Sequence, residues 1–212
     1  MPAIATALSE CASTPSSFRE FVDDSGQGPV ILHGLSWETY EKLDTLLEGS
    51  GARLKFLENM LETMAPRSIR HEFQKGVLGS FVETYCRVHG IRYSTHENAT
   101  LTAGAKDAGG EPDECFCLHE NKETPDLVIE VALTSGGIDK LAFYAKFAVS
   151  EVWIWQDKAL HVFHYQAQQG SYEKSEHSQV LAALNLQTLI ECAQMEYTSD
   201  AVDAFEQKLR GA

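Results

Sequence analysis

The chain has 212 residues and a mass of 23.5 kDa, 43% hydrophobic and 23% charged, which suits one compact domain around a sizeable core. No apolar run approaches the roughly 20 residues that a bilayer span needs, and 17 Lys and Arg against 31 Asp and Glu leave a net charge of -14. Such a surface repels polyanions at long range and excludes a general nucleic-acid-coating protein, while leaving room for a local cationic cleft. The opening M-P-A-I-A-T-A-L-S-E-C has neither a basic region nor a long apolar one, so no secretory signal is read. Five cysteines, an odd number, then indicate a reducing compartment and a cytoplasmic protein.

Residues 1 to 30 are rich in Ala, Ser, Asp and Gly and read as a poorly packed arm, with the main domain over 31 to 212. Ser36 is a predicted N-cap for a helix that carries Tyr40, Leu43 and Leu47 as its apolar stripe and stops at Gly49. Residues 52 to 64 alternate around a polar break at Glu58-Asn59 and predict a hairpin. A long helix follows from about Ser68 to Val88, buried along Phe73, Val77, Phe81, Val82 and Tyr85 and ended by Gly90. Residues 91 to 103 read as extended, and A-G-A-K-D-A-G-G to Gly110 as a loop. E-C-F-C-L after Pro112 predicts a short strand, and Asp126 to Leu133 a buried one. T-S-G-G turns into the helix I-D-K-L-A-F-Y-A-K-F-A, before strands E-V-W-I-W-Q and L-H-V-F-H-Y meet near Asp157-Lys158. The tail from Asn185 to Leu209 is helical, with breaks near Cys192 and Thr198. This order indicates a mixed α/β (α+β) domain with a central sheet flanked by helices.

Glu130 is the residue hardest to explain as structure. It sits inside V-I-E-V-A-L, where an unsatisfied buried polar group costs roughly 2 kcal/mol or more. Period-two geometry puts Asp126, Val128, Glu130 and Ala132 on one face and Leu127, Ile129, Val131 and Leu133 on the other. The Glu130 face is therefore expected to open to a cleft. Asp113 begins the neighbouring strand, and two carboxylates from adjacent strands suit a hard divalent cation. As ordinary strand-end acids they would instead pair with surface cations. Lys140, in the first turn of the following helix, opposes the helix dipole. Its ammonium reaching back to a carboxylate would explain it, as would solvation beside Asp139, and spacing alone does not decide between them.

The blocks E-P-D-E-C-F, T-P-D-L-V-I-E-V, T-S-G-G-I-D-K-L-A-F-Y and V-S-E-V-W-I-W occur in this order, with L-E-T-M-A-P-R-S-I-R-H upstream. Over residues 35 to 190 the chain resembles a bacterial restriction-endonuclease-like family of the PD-(D/E)XK nuclease superfamily. The resemblance implies a four-stranded mixed sheet flanked by helices and a phosphodiesterase that uses Mg²⁺ or Mn²⁺. It makes Asp113 and Glu130 the metal-holding acids, with the Val131 carbonyl as a third ligand, and Glu62 a further acid that binds directly or through water. Lys140 would orient or deprotonate the attacking water and offset charge on the phosphorane. The strict motif has Lys two residues after Glu130, where this chain has Ala132, and Lys140 stands as its migrated substitute. His71 could approach a phosphate, or be satisfied by a cap carbonyl.

The function expected is therefore metal-dependent hydrolysis of nucleic acid, DNA first, with Arg67, Arg70 and Lys75 as a positive rim. The alternative is a degenerate nuclease fold kept as a binding or assembly module, favoured by the net charge and by Ala132. A glycosidase with paired carboxylates would leave Lys140 without a role. Cys115 and Cys117 form C-x-C rather than a zinc or redox C-x-x-C and read as core thiols. His161 and His164, three apart on a strand, point to opposite faces. The E-V-W-I-W strand, placed at a sheet edge, would support a homodimer.

Overall fold

A computed structural model describes residues 29–64, 68–96, 100–132 and 137–211. The arm up to residue 28, Arg67, Leu133 and most of the T-S-G-G turn lie outside the described residues. The fold is mixed α+β, with two sheets where one central sheet was expected. The chain forms two compact units, each drawn from three stretches. One holds the chain up to Pro66, Thr100–Glu111 and Thr134–Lys146; the other holds Arg67–Ala99, Pro112–Leu133 and Phe147–Ala212.

The first unit contains β1 (Val30–His33), α1 (Trp37–Leu47), β2 (Arg53–Leu57), β3 (Met60–Met64), β5 (Leu101–Thr102), β6 (Ala108–Gly110) and the short helix α3 (Lys140–Ala145). Its sheet runs β1-β3-β2-β6-β5 and is antiparallel throughout. Ser36 caps α1 as its sequence position requires, its hydroxyl accepting the Thr39 N–H at 3.2 Å. Tyr40, Leu43 and Leu47 then pack with Leu54, Phe56 and Leu61. The loop expected up to Gly110 ends instead as β6, paired with β2. Glycine is required there: a Cβ on Gly109 would lie 2.7–2.9 Å from the rings of Trp37 and Tyr40, so the bare backbone lets the helix close on the strand.

The second unit contains α2 (Ile69–His89), β4 (Tyr93–Thr95), β7 (Glu114–Leu118), β8 (Leu127–Ala132), β9 (Glu151–Gln156), β10 (Ala159–Gln166), β11 (Ser171–Ser175), α4 (Leu186–Cys192) and α5 (Thr198–Arg210). The strands run β11-β10-β9-β8-β7-β4, and the β8–β9 pair is parallel. This six-stranded sheet replaces the four-stranded one implied by the resemblance. Ser68 caps α2 through the His71 N–H at 3.1 Å, and Gly90 ends it at φ +67. Leu127, Ile129, Val131, Trp153 and Trp155 join Val77, Phe81 and Phe205 in one core, where the tilted rings of Phe81 and Phe205 lie with centroids 4.5 Å apart.

Three expectations change here. β9 is an inner strand, between β8 and β10, and Trp153 and Trp155 are buried. These tryptophans therefore offer no edge for self-association. The opposite face of β8 is closed as well, with Val128 and Glu130 both buried. It does not open to solvent at Glu130. Lys75, expected on a positive rim, is buried and paired with Glu114 at 3.5 Å; Gly79 leaves space for that glutamate, whose Cδ would sit 3.3 Å from an added Cβ. Cys115 and Cys117 are buried thiols that donate to the carbonyls of His96 and Lys122. His164 is buried with its Nε2 3.2 Å from Glu151 Oε2, and among the described residues no helix is long and apolar enough to cross a membrane.

Candidate metal centre

In the second unit, β7 and β8 pair antiparallel with Glu114 opposite Ile129. Asp113 stands one residue before that rung and Glu130 one residue after it, so both acids flank the same end of the ladder. They are 3% and 2% exposed. Pro112 explains the break in pairing. Extending the register sets it opposite Val131, where a ladder would need an N–H that proline lacks. The Asp113 side chain takes up the Val131 N–H there, its Oδ2 accepting it at 2.9 Å.

Val131 is thereby fixed at the same place. The N–H and C=O of one strand residue point to the same side, so its carbonyl also faces Pro112, which has no donor to give it. Two carboxylates and a main-chain carbonyl are hard oxygen donors, the chemistry that Mg²⁺ and Mn²⁺ select. Among the described residues no group of three or more His, Cys, Asp or Glu is set to hold a metal.

The role of His71 is larger than a helix-start position suggests. Its Nε2 lies 3.1 Å from Asp113 Oδ2 and its Nδ1 3.1 Å from Glu72 Oε1. The ring is buried in the first turn of α2, and its partner is a carboxylate rather than a cap carbonyl. A histidine held between two acids orients the inner one, as outer-shell partners of metal ligands do. The sequence signal was the residue itself after a Ser cap; its partner is 42 positions away.

Glu62 and Lys140 belong to the first unit. Glu62 is buried on β3 and lies opposite Lys55 of β2 and Ile31 of β1. Its Oε2 accepts the Ile138 N–H at 3.1 Å, and a Cβ on Gly137 would overlap its Oε1. Lys55 is only 1% exposed, with its ammonium 4.9 Å from the Phe143 ring centroid and 5.4 Å from that of Tyr144, a cation–π arrangement. Alternation in R-L-K-F-L assigns Lys55 to a solvent face; the structure buries both faces of β2 from Leu54 onward. Lys140 opens α3 and is half-buried. The carboxylate of Asp139 caps that helix, accepting the N–H groups of Leu141 and Ala142.

Residues 37–196 match the model of the Uma2 family, described as "Putative restriction endonuclease". No curated protein sequence matches the chain. Among solved structures, a "putative nuclease belonging to DUF820" from Anabaena variabilis ATCC 29413 is similar over 81% of this chain and 99% of its own, with 14% identity and a TM-score of 0.54. That likeness is one of fold, and it matches the mixed α+β architecture found here. The family model covers well over half of the sequence, and the chain belongs to the Uma2 restriction-endonuclease-like family.

Proposed function

We propose that this protein hydrolyses phosphodiester bonds in nucleic acid, DNA first, with Mg²⁺ or Mn²⁺ as its cofactor. The observation that supports this most is the pair of buried acids, Asp113 and Glu130, side by side just beyond the last rung of the β7–β8 ladder. The ion would be held by both carboxylates and the Val131 carbonyl. When bound it would supply Lewis acidity and lower the pKa of water. The chain's own residues do the positioning. Val131 N–H and His71 hold Asp113 Oδ2 from two directions, so the carboxylate cannot rotate freely. The apolar strand around Glu130 excludes bulk water and strengthens its field. Glu62 as a further acid and Lys140 as the cation near the attacking water keep the roles that the resemblance gives them.

The test is calorimetric titration of Mn²⁺ into the wild type and Glu130→Ala, followed by hydrolysis assays on plasmid DNA and RNA with and without chelator. Binding lost in the variant, with hydrolysis blocked by chelator and by Glu62→Gln or Lys140→Met, is the expected result. No binding by the folded wild type overturns the mechanism. Metal binding without hydrolysis of either polymer would favour the degenerate, binding-module reading, which Ala132 in the motif-lysine position supports.

A further inference from the structure

The second unit contains a cavity of about 340 Å³ at the C-terminal end of β8, bounded by Ala132, two residues beyond Glu130. Arg70 enters it from the first turn of α2, and Lys158 from the turn between β9 and β10. Neither has a hydrogen bond or ion pair among the described residues, although the chain carries 31 acids against 17 bases. The Gln74 amide is committed to the Ala193 carbonyl at 3.3 Å. Phe73, Trp155 and Met195 supply an apolar wall, and Asp157 adds an acceptor at the mouth.

The turn that presents Lys158 is costly in itself. Gln156 pairs with Ala159, so Asp157 and Lys158 form a two-residue loop with φ of +50 and +63. Such a loop favours Asn-Gly, and glycine at its second position would be relaxed where lysine is not. Lysine is nonetheless the residue present, and it lines the cavity.

A bare inorganic anion would use the two cations and leave the apolar wall wet. A nucleoside would use the wall and leave the cations idle. A nucleotide uses both: phosphate to cations, flat base to apolar surface, sugar hydroxyl or base amine to a carboxylate. The volume is in the range of small-ligand sites. We infer that this cavity is a nucleotide subsite, with the phosphate between Arg70 and Lys158 and the base against Phe73, Trp155 and Met195. The strand identity of the ligand rests on the hydrolase reading above.

The experiment is calorimetric titration of the full chain, in chelator, with thymidine 5′-monophosphate, thymidine and inorganic phosphate. The monophosphate is expected to bind, with thymidine and phosphate each at least about tenfold weaker. Arg70→Met and Lys158→Gly should each weaken the monophosphate about tenfold, the loss of one charge-assisted contact. Lys158→Gly should do so with an unchanged or raised melting temperature, because glycine accepts the turn's backbone; a folding defect cannot then explain the loss. No saturable binding up to about 10 mM, equal binding of thymidine and its monophosphate, or full affinity in both variants would overturn the subsite. Binding without hydrolysis in the separate nuclease assay supports the subsite and sinks the catalytic reading. Hydrolysis with no monophosphate binding sinks the subsite alone.

Discussion

Gly137 offers a direct test of how the buried Glu62 is held. Its φ of +100 lies where side chains other than glycine cost about 1–3 kcal/mol. An alanine methyl would also overlap Glu62 Oε1 and approach Cδ to 3.0 Å and Oε2 to 3.2 Å. The carboxylate must then swing away and give up the Ile138 N–H, a hydrogen bond to a charged acceptor worth about 1.5–3 kcal/mol. Gly137→Ala is therefore expected to destabilise by about 3–5 kcal/mol. Once Glu62→Ala has removed the obstacle, the same methyl costs only its backbone strain. The double variant should therefore lie about 1.5–3 kcal/mol above the sum of the singles. Urea denaturation followed by fluorescence reads this, since Trp37 belongs to the same unit. Additivity within about 0.5 kcal/mol would refute the coupling.

Glu151 is fully buried, and its carboxylate accepts the Trp153 indole N–H at 2.6 Å and the Gln179 and Val180 N–H groups at 2.7 and 3.3 Å. Either orientation of a glutamine amide there turns an NH₂ toward a donor, so Glu151→Gln should cost about 3–5 kcal/mol. At this chain length that lowers the melting temperature by about 6–20 °C; a drop under about 3 °C would contradict the network. Lys146 donates to Asp107 at 2.8 Å and Glu58 at 3.1 Å, and those hydrogen bonds raise its pKa. A raised folded pKa means that this contribution is complete below the unfolded value near 10.4 and is lost as pH climbs through the folded one. Lys146→Met should therefore cost at most about 1 kcal/mol at pH 7, and the difference from wild type should shrink in urea titrations taken into the alkaline range. A difference that grows with alkalinity would contradict the assignment.

The elements legible in the sequence are those with local punctuation. α2 is bounded by a serine cap and a left-handed glycine, and its apolar stripe repeats at helical spacing, so both ends were readable within a residue. The β2–β3 hairpin and the breaks between α4 and α5 follow the same logic. β6 was not legible, because Ala-Gly-Gly has no strand propensity and forms a strand only where Trp37 and Tyr40 need a bare backbone. β11, S-Y-E-K-S, is polar and takes its register from β10. At the candidate centre, Glu130 announced itself as a charge in an apolar run. Lys55 carries the same signal, but alternation hid it by offering a solvent face that the fold covers. The cavity was beyond reach for another reason. Arg70 and Lys158 are 88 positions apart, and no periodicity joins them.

Both compact units are built from three separated stretches that alternate along the chain. β2 cannot complete its pairing until β6 has been made, roughly fifty residues later, and the parallel β8–β9 pair must wait while residues 134–146 are delivered to the other unit. The first unit therefore waits for residue 146 and the second for the last stretch of the chain, and the loops closed by these pairings are long. Slow, late-stage assembly is the expected kinetic signature of such non-local pairing. The same interleaving means that no single cut releases either unit whole. The two units of this protein are inseparable by truncation.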